Sequence, residues 1–117
     1  MSDSLNLSEA RQAYAEHATG YWSEIRNSDS EAANRHTEAG DVIVSAWRGA
    51  GRLTELLEPL LQDSSAQVRY ASASDLLGTE LSDRAIAVLE ELQADPKGLV
   101  APTARLRLMT WRREGVT

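Results

Sequence analysis

Residues 53–77 read LTELLEPLLQDSSAQVRYASASDLL, and the order of apolar and polar letters in that stretch decides the fold class. Leu53, Leu56, Leu57, Leu60 and Leu61 recur at i, i+3, i+4, i+7 and i+8, the spacing that lines one face of a 3.6-residue helix. The polar turn Asp63-Ser64-Ser65 follows. Val68, Ser72, Ala73, Leu76 and Leu77 then mark the inward side of a further helix that stops at Gly78. Pro59 sits inside the leucine stripe, where it has no N–H to give and its ring crowds the preceding turn, so a kink or a late helix start is predicted there.

The same period extends in both directions. Ser8 is the expected N-cap of a first helix with Ala10, Ala13, Tyr14, Ala18, Tyr21, Trp22 and Ile25 inward. Ser28, Asp29 or Ser30 caps a second, striped by Ala32, Ala39, Ile43, Ala46 and Trp47 and ended by Gly49 and Gly51. Ser82 or Asp83 caps a fifth that buries Ala85, Val88, Leu89 and Leu92 before the turn Asp95-Pro96-Lys97-Gly98. A sixth carries Ala101, Ala104, Leu108 and Trp111 and ends at Gly115. No long alternation of apolar and polar residues marks a strand. Six amphipathic helices with short connectors pack as antiparallel neighbours, and none buries its stripe alone. The expected fold is therefore all-α, an alpha-alpha superhelix of about three stacked antiparallel helix pairs, with residues 1–7 as a tail and 8–115 as a single helical domain.

The bulk composition narrows the function. The chain has 117 residues, enough for a core without metals or disulfides, and it has no cysteine, which rules out thiolate chemistry. The first ten residues carry Asp3 and Glu9 and lack an apolar run, so neither a secretory signal nor a membrane anchor is expected and the predicted location is cytoplasmic. A net charge of −6 repels phosphate backbones and disfavours a general nucleic-acid role. Up to Asp41 the chain has eight acids and three arginines, whereas Arg105, Arg107, Arg112 and Arg113 cluster near the C-terminus.

From Leu53 onward, the leucine-rich helix, the Asp63 turn and the second helix opening with Val68-Arg69, followed by AIAVLEELQAD at 85–95, resemble the HEAT repeat over about one and a half repeats. That resemblance implies that Arg69 reaches the turn acid or turn carbonyls, making Asp63 and Arg69 scaffold residues. Nearly the whole chain is similar to a bacterial family of HEAT-like proteins, the domain-of-unknown-function family numbered twenty-nineteen. The segments that carry this similarity are Ala33-Asn34-Arg35-His36, Arg48 to Arg52, Val68-Arg69-Tyr70 and Ala104 to Trp111. It implies an armadillo-like superhelix without assigned activity, sometimes found near toxin and immunity systems, and it supplies no catalytic residues. Pro59, and Ser72 where a HEAT core usually has alanine, depart from the pattern.

No catalytic, cofactor or metal constellation reads out. His17 and His36 fall beside the apolar stripes of two neighbouring helices, but no His-Glu-x-x-His or comparable spacing accompanies them, so two hydrogen-bonded histidines at a core edge are expected rather than metal ligands. Glu55, Glu58, Glu90 and Glu91 lie on polar faces, and Gly49-Ala50-Gly51 reads as a helix stop, not a phosphate loop. Trp22, Trp47 and Trp111 lie on inward stripes. Stacked pairs expose their second helices along one surface, which makes Glu38, Asp41, Tyr70, Ser74, Asp75 and Arg105 the candidate partner contacts. The expectation is a non-enzymatic module with no cofactor that binds a partner protein, with a cytoplasmic immunity protein against a toxin domain as the narrower form. The alternatives are a HEAT-like DNA glycosylase-type enzyme gripping phosphates with the C-terminal arginines, and a structural subunit that self-assembles.

Overall fold

The computed structural model describes residues 6–95 and 100–115. Within them the protein is all-helical, with no strand: α1 (Leu7–Arg26), α2 (Ser30–Gly49), α3 (Leu53–Leu57) continuing as a 3-10 segment (Glu58–Gln62), α4 (Ala66–Leu76), α5 (Ser82–Gln93) and α6 (Val100–Gly115). Residues 96–98 of the expected turn, and 1–5 of the expected tail, lie outside the described residues. The chain forms two compact units, Met1–Leu60 and Leu61–Thr117, divided inside the 3-10 segment.

In the first unit α1 and α2 pack along their length, and α3 rests on both. The chain enters α1 two residues before the expected Ser8, because Asn6 Oδ1 accepts from the Glu9 N–H at 2.7 Å and so caps the helix. At the other end Ser28 adopts φ 60°, the Asp29 N–H reaches back to the Glu24 carbonyl, and the Ser28 N–H reaches the Ile25 carbonyl. This is a Schellman closure, and the next residue starts α2, since the Asp29 carboxylate accepts from the Ala32 N–H at 3.0 Å. α2 closes in the same way at Gly51 (φ 74°), where the Arg52 N–H bonds to the Trp47 carbonyl and the Arg52 guanidinium lies 4.6 Å from the Trp47 ring centre.

Ala10, Tyr14 and Trp22 of α1 are buried against Ala32, Ala33, Val44 and Trp47 of α2. The predicted stripes need two corrections here. Ile25 and Ala46 are exposed, while Ala33 and Val44 take core positions, because the α2 stripe is rotated from the one drawn through Ala46.

Pro59 has the effect its chemistry dictates: the α-helix stops at Leu57 and the chain tightens to 3-10. All five leucines of the stripe remain buried. With no N–H at Pro59, the Glu55 carbonyl loses its normal helical donor, and Arg11 of α1 supplies one. Its Nη2 donates to the Glu55 carbonyl at 2.9 Å and its Nε donates to the Leu56 carbonyl at 2.8 Å.

In the second unit α5 packs against α4 and α6, and α4 also touches α6. Val68, Ser72, Ala73, Leu76, Leu77, Ala85, Leu89, Leu92, Val100, Ala104 and Leu108 form its core. Ser72 is tolerated there because its hydroxyl donates to the Val68 carbonyl at 2.9 Å. Arg69 Nη1 donates to the Asp63 carbonyl at 2.7 Å, and the Asp63 carboxylate accepts from the Ser65 N–H at 2.9 Å, so both residues brace the turn before α4. Neither Ser82 nor Asp83 caps α5. The N-cap is Leu81 without a side-chain bond, and Ser82 Oγ accepts instead from the Gly78 N–H. Gly78 (φ 85°) ends the α4 region with the Trp111 ring 3.8 Å from where its Cβ would stand.

Candidate functional site

The six predicted contact residues have unequal standing in the structure. In the first unit, Glu38 and Asp41 are exposed on α2. Beside them at i+4 and i+1 stands Val42, 69% exposed, so this outward face combines two carboxylates with one large apolar side chain. In the second unit Arg105 is exposed on α6, whereas Tyr70, Ser74 and Asp75 of α4 are half-buried. Ser74 Oγ is fully buried and has no hydrogen-bond partner, which leaves it nothing to offer a visitor. Tyr70 and Asp75 are already engaged within the protein. The aromatic anchor expected at Tyr70 is thus a half-buried side chain with a partner inside the protein.

Sequence reasoning missed the apolar side of the second unit's surface. Leu106 is 61% and Met109 55% exposed, and with Pro102 and Arg105 they follow i, i+3, i+4, i+7 along α6. These four residues line a shallow groove of about 430 Å³ with Ala101 and with Gln93 at the end of α5. The signal was present in the sequence as a second apolar stripe, hidden behind the stronger Ala104, Leu108 and Trp111 stripe on the core side. Trp111 itself is only half-buried, while Trp22 and Trp47 are core residues.

Charge around these faces is unevenly paired. Arg112 donates to Glu90 at 2.6 Å and Arg52 donates to Glu55 at 2.9 Å, both on the surface where such pairs contribute little stability. α6 holds four arginines and a single acid, Glu114, which makes its surface locally cationic on a chain of net charge −6.

The two histidines meet each other. His17 Nδ1 lies 3.0 Å from His36 Nδ1 with ring centres 5.3 Å apart, a geometry that needs one Nδ1 to donate and the other to accept. Both rings are half-buried between α1 and α2, and Gly20 makes the room, since a Cβ there would come within 2.6 Å of the His36 ring. Among the described residues no three histidine or acidic side chains gather in a way that could hold a metal ion. No helix among them is long and apolar enough to cross a membrane.

No family model, no curated protein and no solved structure matches this chain.

Proposed function

We propose that this chain is a non-enzymatic protein-binding module of HEAT-type character, which holds a partner protein against the outward faces of its helices. The observation that carries the reading is the placement of large apolar side chains in solvent beside charged ones: Val42 with Glu38 and Asp41 on α2, and Leu106 and Met109 with Arg105 on α6. Exposed apolar groups inside a charged rim are the usual composition of a recognition patch, where the apolar atoms provide affinity and the rim provides orientation and rate.

The narrower form of the reading is a cytoplasmic immunity protein. A toxin that acts on nucleic acid exposes a basic site, and the acidic face of α2 on a protein of charge −6 suits it. Such a pair associates faster at low ionic strength, because exposed charges are screened beyond about 8 Å at physiological salt.

The test is capture of a partner from native lysate on tagged protein, followed by the same capture with Glu38→Lys and Asp41→Lys together, and with Arg105→Glu. The expected result is one stoichiometric partner whose association slows with added salt and whose retention falls in at least one of the two variants. A partner held equally by every variant, or none at all, removes the reading.

A further inference from the structure

We infer that the α6 groove is a docking site for an acidic amphipathic helix of another protein. The inference rests on the protein-binding reading and names the chemistry of the partner at this one site. Pro102, Leu106 and Met109 occupy i, i+4 and i+7 of α6, two turns of apolar surface with Leu106 and Met109 more than half exposed. A surface of this spacing matches the apolar stripe of one visiting helix, which reads a groove through its own i, i+3 or i+4, and i+7 positions. Gln93 also lines the groove, and a glutamine amide can accept from or donate to that helix.

The charge selects the sign of the visitor. Arg105 lines the groove, and no acid is among the described residues that line it. A basic helix would meet like charges there. A second copy of this chain docking through α6 would offer that face four arginines and one glutamate, rather than the carboxylates that complement Arg105. Carboxylates flanking a leucine stripe satisfy both halves of the surface, and the long methionine side chain adapts to the packing of whichever leucines arrive.

The probe is a fluorescein-labelled sixteen-residue peptide with leucines at i, i+4 and i+7 flanked by glutamates, compared with the same peptide carrying lysine for glutamate. Anisotropy should show saturable binding of the acidic peptide and a loss of about tenfold or more for the lysine form. Arg105→Glu and Met109→Glu should each weaken the acidic peptide by about tenfold. Both changed residues are exposed, so a helical circular dichroism signal equal to that of the unchanged protein confirms that the variants fold. Binding that ignores these substitutions, equal binding of the two peptides, or light scattering that shows a dimer lost on Met109→Glu each overturns the proposal. If the peptide fails while a native partner is still captured, the groove reading alone falls. If the peptide binds while no partner is ever captured, the groove stands and the functional reading falls.

Discussion

Gly20 and Gly40 are both helical glycines, and the space beside them gives alanine opposite effects. A Cβ at Gly20 would stand 2.6 Å from His36 Cε1, and the ring cannot swing away without leaving His17 Nδ1, whereas a Cβ at Gly40 meets nothing within 4 Å. Gly20→Ala should therefore lower stability by about 1 kcal/mol, because overpacking of about 1–3 kcal/mol outweighs the helix-propensity gain of about 1 kcal/mol. Gly40→Ala should raise it by up to about 1 kcal/mol. Urea titrations of the two variants decide this, and adding His36→Ala should convert Gly20→Ala into a stabilising change. At Glu55 the hydrogen bond from Arg52, helped by that cation and by Arg11, holds the carboxyl below the ordinary carboxylate range. A depressed folded value means that the stabilisation is complete above the ordinary range and is lost as pH falls through the depressed one. Carbon-13 titration should place the Glu55 midpoint lower in the unchanged protein than in Arg52→Ala; coincident midpoints would reject the pairing.

Among the elements, α3 shows how a local rule is met by a distant residue. Pro59 takes away the donor that the Glu55 carbonyl needs, and Arg11, 44 residues earlier in the chain, replaces it. Arg11→Met should cost about 1 kcal/mol, because the bond to the Leu56 carbonyl is part-buried while water can replace the donor at the exposed Glu55 carbonyl. Pro59→Ala restores an N–H at that position, so the Arg11 substitution should cost less in that background, by about 0.5 kcal/mol or more of coupling in a double-mutant cycle. Additive costs would mean that the two residues act independently. The α1–α2 connection follows a second local rule: Ser28 carries φ 60°, a conformation unfavourable by about 1–2 kcal/mol for a residue with a Cβ. Ser28→Gly should raise the denaturation midpoint without altering the helices on either side.

For the molecule as a whole, charge is the property that acts at a distance. A net charge of −6 works against a duplex at long range, and exposed leucine and methionine interleave the arginines of α6. Filter binding at about 50 mM salt should retain no duplex DNA; tight, salt-sensitive retention would favour the glycosylase-type alternative instead. Each compact unit has a core of its own, leucine-rich around α3 in the first and along α4, α5 and α6 in the second. Nothing in the letters marks the division after Leu60, because the leucine stripe runs straight across it.

The helices, their approximate limits and most of their buried faces were already determined by the periodic placement of leucine, alanine and tryptophan, since a 3.6-residue repeat has one buried side whatever it packs against. Pro59 also announced its break. Packing alone decided that Ser74 buries its hydroxyl, that Arg11 finds the carbonyls of α3, and that Leu106 and Met109 stay in water. Each of these depends on which neighbour fills the space beside a side chain, and neighbours far apart in the chain are not written in its local pattern.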